Sequence, residues 1–465
     1  MVDDMLGYLQ TLRDRPVWQP IPPEVKSTLK SGIPHDPQGA QAVYDEFLTS
    51  VLPYPIGNIH PRFWGWVVGT GTATGALSEF LASVLNSNIG GAEQIGSYVE
   101  MQVIDWCKEM IGYPAEGSGI LVSGASMANL VGLTVARNVK AGFDIRQQGL
   151  HAAPRRMLFY ASAEVHSCIP RAVEILGLGR DSLRLIPVDA NFEMDIAALE
   201  AAIAADRSAG HQPACIVGTA GTVNTGAFDN LTAIADICAR EKLWFHVDGA
   251  FGALAAVSPN LRHLTAGMER ADSLAFDVHK WMFVNYEAGV AIIRSKDLHH
   301  KTFNTMPDYL THGERGAASG ELWFGEYGIQ LSRGFRALKV WMSLKEHGID
   351  KYARIIEQNV EQAHYLAARV DESPELERLA PVPLNIVCFR YRVADMTEDQ
   401  LDALNDELVI RLQEGGVALA SSTRIHGHLC MRPSATNHRS VRADFDVLVD
   451  ESIRLGRQIH AEMAG

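Results

Sequence analysis

The side chain with the clearest chemical potential in this sequence is Lys280. It follows Phe276-Asp277-Val278-His279 and lies between two apolar, strand-like runs. A lysine between buried segments is costly to keep charged, so burial is expected to lower its pKa and make the neutral, nucleophilic amine available. A neutral amine can form an imine with a carbonyl carbon, such as the aldehyde of a cofactor. The position of Lys280 therefore predicts covalent chemistry at its Nζ atom.

Asp248 is the second candidate, because it ends the apolar run Trp244–Val247 and is followed by Gly249 and Ala250. A carboxylate beside small residues can hold a flat ring and pair with a cationic ring nitrogen. In the chemistry of pyridoxal 5'-phosphate (PLP), such a pair keeps the pyridine protonated, so that the ring accepts electrons. The alternative interpretation is a helix N-cap, a position that aspartate often occupies.

The turn Ser123-Gly124-Ala125-Ser126 lies between the apolar run Ile120–Val122 and a helix-forming segment. Small residues let backbone amides approach an anion, and the amides and dipole at a helix start favour a phosphate. The same turn would also serve as an ordinary N-cap, because serine caps helices well. Both interpretations remain open on the residues alone.

Two further polar positions follow apolar runs of the same kind. His166, after Met157–Tyr160, can stack on a flat aromatic cofactor or transfer a proton. It can equally be a hydrogen-bonded histidine at a helix start. Thr219, in Thr219-Ala220-Gly221-Thr222, can contact a cofactor or form a simple turn.

The elements that must position these residues alternate between helical patterns and short apolar strands from about residue 60 to 345. Residues 130–138 predict a helix, and the predicted strands are 156–161, 215–219, 244–248, 273–276 and 289–293. This alternation predicts an α/β fold with a largely parallel sheet covered on both faces. Ligands of such sheets lie beyond the carboxyl ends of the strands, where each polar motif above is found.

The remaining segments predict three parts of the chain. Residues 1–60 are rich in proline, which predicts an extended arm with short helical pieces that packs on another part of the protein or a second subunit. Residues 61–345 form the large domain, in which residues 305–328 predict a lid-like or disordered loop. Residues 346–465 predict a smaller C-terminal α/β domain with a strand at Asn385–Arg390.

Composition excludes several classes of function. The 465 residues carry a formal net charge of -14 without a Lys/Arg-rich block, which argues against a nucleic-acid surface. No apolar run approaches the length of a membrane span, and the acidic N-terminus lacks a signal-peptide core. The six scattered cysteines show no metal-ligand spacing, so they predict a reduced, cytoplasmic protein that uses its thiols as small core residues.

Taken together, these motifs resemble the group II PLP-dependent decarboxylases, which include aromatic-amino-acid, glutamate and histidine decarboxylases. The resemblance runs from about His60-Pro61-Arg62-Phe63 into the C-terminal domain and includes residues 331–339. It implies the PLP-dependent transferase type I (aspartate-aminotransferase-like) fold and an obligate homodimer with active sites at the interface. It also implies decarboxylation of an L-amino acid.

The resemblance assigns a role to each candidate residue. Lys280 resembles the Schiff-base lysine, Asp248 the partner of the pyridine nitrogen, and His166 the histidine stacked over the ring. Further cofactor-binding positions match the phosphate turn, the histidine before the lysine and the small residues flanking the ring: Ala125, Ser126, His279, Thr219 and Ala250.

Two departures from the family pattern bear on the outcome of the reaction. The family's loop tyrosine, which supplies a proton to Cα, is matched here by Phe324, although Tyr309 or Tyr327 can supply the hydroxyl instead. Relatives with phenylalanine at this position resemble oxidative aldehyde synthases, which makes that activity the second hypothesis. Asp277 stands where many relatives have asparagine, and an acid close to a phosphate is unfavourable.

The substrate is indicated by aromatic residues where the family builds its substrate pocket, namely Phe63, Trp64 and Trp66, with Phe324 from the loop. An aromatic wall suits an aromatic or large apolar side chain. The alternative is that these rings pack at an interface. A third hypothesis, an inactive PLP-fold binding or scaffold subunit, is disfavoured by the intact Asp248, His166 and Lys280.

Overall fold

The computed structural model describes residues 1–305 and 313–464. The strands of these residues are β1 (Phe63–Trp64), β2 (Ser118–Val122), β3 (Met157–Ser162), β4 (Leu183–Ile186), β5 (Gln212–Thr219), β6 (Trp244–Asp248), β7 (Ser273–Asp277), β8 (Gly289–Ile293), β9 (Leu376–Arg378), β10 (Phe389–Tyr391), β11 (Leu419–Ile425) and β12 (His428–Arg432).

The helices of the same residues are α1 (Val2–Gln10), α2 (Pro23–Thr28), α3 (Ala40–Glu46), α4 (Ala73–Leu85), α5 (Ile95–Met110), α6 (Ala125–Lys140), α7 (Ile145–Gln148), α8 (Cys168–Ile175), α9 (Ile196–Ser208), α10 (Leu231–Glu241), α11 (Val278–Trp281), α12 (Lys296–Phe303), α13 (Arg336–His347), α14 (Ile349–Asp371), α15 (Glu398–Glu414) and α16 (Arg442–Ala464).

The described chain divides into two compact units. The larger comprises residues 71–360 and 381–384, and the smaller comprises residues 1–70, 361–380 and 385–465. The predicted boundaries at 60/61 and 345/346, and the packing of the N-terminal arm on a second subunit, stay predictions.

The larger unit is built on a seven-stranded sheet of order β2-β8-β7-β6-β5-β3-β4. The neighbours from β7 through β4 are parallel, whereas β8 runs antiparallel to both β2 and β7. The predicted α/β architecture and the predicted strands are therefore confirmed. Because β2, β3, β5, β6 and β7 share one direction, their carboxyl ends meet at one edge of the sheet, as the sequence predicts.

The core beside this edge is formed by α6, α8 and the apolar faces of β3 and β5. Side chains such as Leu133, Ile169, Phe159 and Val217 are fully buried there. All five residues of β6 and of β7 are buried, as expected for central strands covered on both faces. This packing holds the ends of the strands in place.

The smaller unit contains a five-stranded sheet of order β1-β11-β12-β10-β9, in which only the β1–β11 pair is parallel. The predicted strand at 385–390 is wrong at its start, because β10 begins at Phe389 and Ile386 makes only an isolated bridge to Ser434. The adjacent segment of the same polypeptide has Pro433 at this point. Proline has no amide hydrogen, so it cannot continue the hydrogen-bond ladder between the two segments. The N-terminal segment of this unit holds the short helices α1 to α3, as predicted.

Of the segment predicted as a lid-like or disordered loop, the structure describes residue 305 and residues 313–328. It contains a short 3₁₀ turn at Phe324–Glu326 and otherwise irregular backbone. Tyr309, one of the two alternative hydroxyl donors, lies outside the described residues.

Two other expectations concern the chain as a whole. All six cysteines are buried and unpaired, which confirms that the thiols serve as small core residues. Within residues 1–305 and 313–464, no helix is both long enough and apolar enough to cross a membrane.

Candidate active site

A cavity of about 660 Å³ opens in the larger unit at the carboxyl edge of its sheet. It is lined by residues that follow β2, β3, β6 and β7, together with the segment before β8: Ser123, Gly124, Ala125, Ser126, Met127, His166, Cys168, Ala250, Asp277, His279, Lys280, Tyr286 and Glu287. The fold thus brings Ala125, Ser126, His166, Ala250, His279 and Lys280 to one place, although they are up to 155 residues apart in the chain.

Lys280 lies on α11, the single helical turn that follows β7. Its Nζ atom is 3.0 Å from Oδ2 of Asp277, and the Asp277 side chain is 3% exposed. Burial opposes the charged form of the amine, but the charge and hydrogen bond of Asp277 outweigh it, so the pKa of Lys280 is raised. The expectation of a lowered pKa was wrong, because it considered desolvation without the carboxylate three residues earlier.

His279 is buried beside this ion pair. Its Nδ1 atom lies 3.1 Å from the amide nitrogen of Ala288, and its Nε2 atom lies 3.7 Å from Oδ2 of Asp277. Burial lowers the pKa of His279, and the Asp277 charge only partly opposes that effect. The Tyr286 ring centre is 4.4 Å from the His279 ring centre, so these two rings form one wall of the cavity.

Asp248, at the end of β6, is only 2% exposed. Its Oδ1 atom accepts a hydrogen bond from the Ala250 amide at 3.2 Å, and Cys168 Sγ lies 3.8 Å from its Oδ2 atom. Among the residues that the structure describes, no cationic side chain lies within ion-pair distance of this carboxylate. A buried carboxylate is costly without a charged partner, so the site suits a ligand that carries a positive charge.

The turn before α6 provides the anion side of the cavity. Helix α6 begins at Ala125, and no side chain caps its first amides. Residues 123–127 line the cavity, so the free amides at the helix start are available to a phosphate. The N-cap alternative for Ser123 and Ser126 is not realised, since neither hydroxyl bonds to the start of the helix.

His166 and Thr219 occupy different environments. His166 is exposed at the cavity, its Nδ1 atom accepts a hydrogen bond from the Cys168 amide at 3.2 Å, and partial desolvation lowers its pKa. Thr219 is buried, and its amide donates to Oδ2 of Asp229 at 2.8 Å. The Oγ1 atom of Thr219 is buried without a hydrogen-bond partner among the described residues, and Thr219 does not line the cavity.

Phe324 does not line this cavity. Its side chain is fully buried, and the Arg333 guanidinium lies 4.9 Å from the centre of its ring. Tyr327, the other alternative hydroxyl donor, is also buried, and desolvation raises its pKa to about 12.

Phe63 and Trp66 belong to the smaller unit. Phe63 is buried against Val17 and Leu419, whereas Trp66 is 48% exposed. Their assignment to a substrate pocket stays a prediction.

The sequence did not single out four residues that line the cavity: Met127, Cys168, Tyr286 and Glu287. Met127 directly follows the predicted turn. Cys168 was interpreted only as a core thiol, and Tyr286 and Glu287 were not considered. The usable signal was that Cys168 is two residues from His166 and starts a helix beside the same strand end. No signal marked Tyr286 and Glu287, because they lie in an irregular segment before β8.

These residues fit PLP on three observations. Asp248, a buried carboxylate without a cation, does not line the cavity but contacts two residues that do, Cys168 and Ala250. The cavity itself offers an uncapped helix start and the lysine Lys280. A hydroxyl without a partner, Thr219 Oγ1, lies at the end of the strand next to Asp248. The donor set therefore matches a phosphorylated aldehyde with a basic ring nitrogen.

Most of the chain is similar to known pyridoxal-dependent decarboxylases. Residues 22–392 match the family model of the pyridoxal-dependent decarboxylase conserved domain. The chain is 34% identical over 448 residues to an aromatic-L-amino-acid decarboxylase of Bacillus atrophaeus, covering 94% of this chain and 90% of that protein.

Two solved structures share the fold. One is Oryza sativa TDC with PLP and tryptamine, with a TM-score of 0.89, 26% identity, and coverage of 100% of this chain and 96% of that chain. The other is Rhodiola rosea 4-hydroxyphenylacetaldehyde synthase, with a TM-score of 0.87, 23% identity, and coverage of 100% and 97%. The predicted aspartate-aminotransferase-like fold is thereby confirmed.

Proposed function

The chain belongs to the pyridoxal-dependent decarboxylase family, and we propose that it converts an aromatic L-amino acid to the corresponding amine and carbon dioxide. Membership of this family establishes that the protein is a PLP-dependent carboxy-lyase. The single observation that carries the assignment of its site is the convergence of Lys280, Asp248 and the uncapped start of α6 on one edge of the sheet.

We propose that Lys280 Nζ is the attachment point of the cofactor and that Asp248 pairs with its ring nitrogen. The amides of Ala125 and Ser126, at the start of α6, would hold the phosphate, and His166 would contact the ring. The remaining cofactor-binding positions of this proposal are Thr219, Ala250 and His279. Bound PLP supplies an electron sink for the electron pair that the departing carboxylate leaves on Cα.

The protein side of the reaction begins with the proton on Lys280. The neutral amine is the nucleophile, so Nζ must lose its proton before it reacts. Oδ2 of Asp277 is within hydrogen-bond distance of Nζ at 3.0 Å. We propose that this ion pair holds the proton on Nζ, so that attachment of the cofactor is coupled to loss of the ion pair.

His166 is placed to hold a proton at a defined atom. Because Nδ1 accepts from the Cys168 amide, the neutral ring carries its hydrogen on Nε2. The lowered pKa keeps the ring neutral near pH 7. A neutral ring can lie against a flat ligand without adding a second positive charge beside Lys280.

An aromatic substrate is supported by the 34% identity to an aromatic-L-amino-acid decarboxylase. The proposal includes Phe63, Trp66 and Phe324 as contributors to the substrate pocket of the assembled enzyme. Rings of this kind favour a flat apolar side chain by area and by stacking.

We propose a homodimer with active sites at the interface. Helix α4 supports this, because five of its apolar side chains recur at i, i+3, i+4, i+7 and i+8 and are between 42% and 68% exposed: Leu77, Phe80, Leu81, Val84 and Leu85. A contiguous apolar stripe of this kind is typical of an interface, and a symmetric dimer buries it twice. A reducing, cytoplasmic location is also part of the proposal, supported by the six unpaired cysteines.

The test is an aerobic screen of the twenty amino acids with products identified by mass. Amine and carbon dioxide without ammonia or peroxide are expected, with the highest rate on an aromatic substrate. Aldehyde, ammonia and peroxide with consumption of oxygen would instead establish the oxidative synthase. An active enzyme that prefers a non-aromatic substrate would overturn the substrate class alone.

Lys280→Ala tests the site itself. The variant is expected to lose the absorbance of covalently bound PLP and at least about three orders of magnitude in rate. Lys296→Ala, which removes an exposed lysine at the start of α12, is the matched control. Unchanged absorbance in Lys280→Ala would show that the cofactor is not attached at Lys280. That result would favour a binding or scaffold role for the cavity.

A further inference from the structure

A chain of buried polar side chains ends on Asp248. Its members lie on β6, β7, α6 and α8, and each is at most 4% exposed: Trp244, Ser273, His246, Asn129, Cys168 and Asp248. Polar groups are seldom buried in this number without a partner, and here every link is a hydrogen bond.

The links are short until they reach the sulfur atom. Trp244 Nε1 donates to Ser273 Oγ at 2.8 Å, and the same Oγ lies 2.7 Å from His246 Nδ1. His246 Nε2 lies 2.7 Å from Asn129 Oδ1. Asn129 Nδ2 donates to Cys168 Sγ at 3.4 Å, and Cys168 Sγ lies 3.8 Å from Asp248 Oδ2.

The two ends of the chain determine the direction of these bonds. An indole N–H can only donate, and a carboxylate can only accept. Asn129 accepts with its oxygen from His246 and donates with its nitrogen to Cys168, so His246 carries its hydrogen on Nε2. His246 Nδ1 then accepts from the Ser273 hydroxyl. Every hydrogen bond from Trp244 onward is therefore directed toward Asp248.

The direction of the chain depends on a neutral imidazole at His246. Burial lowers the pKa of His246 to about 4, so the ring holds a single hydrogen near pH 7. Helix α6 approaches the ring closely at Gly132, where a Cβ atom would lie 2.7 Å from His246 Cε1. This packing leaves the ring little freedom to reverse its orientation.

We propose that this hydrogen-bond chain positions Asp248 and directs an S–H donor at its carboxylate, so that the carboxylate is held in place as the acceptor for the ring nitrogen of the cofactor. Donors directed at a carboxylate favour its charged form, and neighbouring hydrogen bonds in a chain strengthen one another. Cys168, Asn129, His246 and Ser273 are positioning residues that act through Asp248. The inference rests on the proposed role of Asp248.

The experiment compares two cofactors. Dissociation constants are measured by equilibrium dialysis for PLP and for 1-deazapyridoxal 5'-phosphate, in which a C–H group replaces the ring nitrogen. Their ratio isolates the interaction between Asp248 and the ring nitrogen, because phosphate and aldehyde are common to both. A general loss of packing would weaken both cofactors equally and leave the ratio unchanged.

Cys168→Ala removes the last donor of the chain. It is expected to reduce the preference for PLP over the deaza compound by about threefold to tenfold, as for loss of one hydrogen bond of ordinary strength. Cys168→Ser keeps a donor and is expected to retain the wild-type preference. Ser273→Ala, near the far end of the hydrogen-bond chain, is expected to reduce this preference by about twofold to threefold. Cys215→Ala is the control, because it removes a buried thiol of β5 that is not part of the hydrogen-bond chain.

The variant Asp248→Ala distinguishes a failure of the proposed role of Asp248 from a failure of the proposed role of the hydrogen-bond chain. If that variant leaves the preference for PLP unchanged, the proposed role of Asp248 fails. If Asp248→Ala abolishes the preference while Cys168→Ala and Ser273→Ala retain it, the hydrogen-bond chain has no part in positioning Asp248. An effect of Cys168→Ala without an effect of Ser273→Ala would restrict the interaction to Cys168 and overturn the role of the chain.

Discussion

The carboxylate of Asp277, the last residue of β7, lies 3.0 Å from the amine of Lys280 on the single turn α11 that follows. This pair raises the pKa of a lysine that burial alone would lower. The second carboxylate oxygen, Asp277 Oδ1, is buried and has no hydrogen-bond partner. The reactivity of Lys280 is therefore set by its neighbour as much as by its burial.

Asp277→Asn is expected to lower the pKa of Lys280, because the amide keeps the size of the side chain but removes its charge. The neutral fraction of the amine then rises at pH 7, and the protein incorporates PLP faster at that pH than wild type does. The measurement is the rate of incorporation, followed by absorbance from pH 6 to pH 9. Glu116→Gln removes an exposed charge outside the site and controls for net charge. Superimposable pH profiles for Asp277→Asn and wild type would contradict the prediction.

Glu100 and Arg333 form a fully buried ion pair beside the start of the phosphate turn. Arg333 also donates to the carbonyl oxygens of Ile89 and Leu121, each at 2.7 Å. Glu100→Leu alone leaves the guanidinium buried without its counter-ion and is expected to cost roughly 3–5 kcal/mol of stability. The double variant Glu100→Leu/Arg333→Met is expected to recover part of this loss.

Thermal and denaturant unfolding of the four proteins in this cycle gives the coupling energy between Glu100 and Arg333. Glu372→Gln, at an exposed position, serves as the control. Additive effects of the two single substitutions would show that the pair does not contribute as a unit.

Two buried histidines are expected to make the fold sensitive to acid. Burial lowers the pKa of His246 to about 4 and that of His299 to about 3, from the ordinary 6.5. Because the folded state binds these protons less readily than the unfolded state, stability is full above pH 6.5 and falls as pH decreases toward 4. For His246 alone the loss is roughly 3 kcal/mol over this range.

His299→Gln is expected to flatten this dependence while lowering stability at pH 7, since His299 bonds to Ser118 Oγ and to the carbonyl of Tyr327. Midpoints of thermal unfolding are measured from pH 7 to pH 4.5 for the variant and for wild type. The difference between the variant and wild type cancels the contribution of Asp229, which is present in both proteins. Burial raises the pKa of Asp229 to about 6, so its effect on the pH dependence of stability has the opposite sign. An equal slope in both proteins would contradict the prediction, and His263→Gln, at an exposed site, is the control.

Phe80→Asp is expected to weaken the proposed homodimer, because it places a charge in the apolar stripe of α4. Sedimentation equilibrium is expected to show a dissociation constant higher by about two orders of magnitude or more. Ile175→Asp substitutes a similarly exposed apolar residue of α8 and is expected to leave the dimer intact. A dimer equally stable in both variants would place the interface elsewhere.

The α/β architecture and the place of the site follow from local patterns in the sequence. Apolar runs of four to six residues alternate with helical periods, and each polar motif comes directly after such a run. Because parallel strands end at one edge, Lys280, Asp248, His166 and the turn at Ser123–Ser126 could be placed together without coordinates. The resemblance to a decarboxylase family rests on these same residues and is confirmed by the family match.

The tertiary structure decided what those residues experience. The pKa of Lys280 depends on the rotamer of Asp277, and burial alone predicts the wrong direction. Cys168 and Asn129 are unremarkable in sequence, yet packing of α6 and α8 against β6 connects them to Asp248. Sequence patterns report which face of an element is buried. The charge state of a buried group depends instead on atoms only a few ångströms away, whether they come from the same turn, as Asp277 does for Lys280, or from distant parts of the chain.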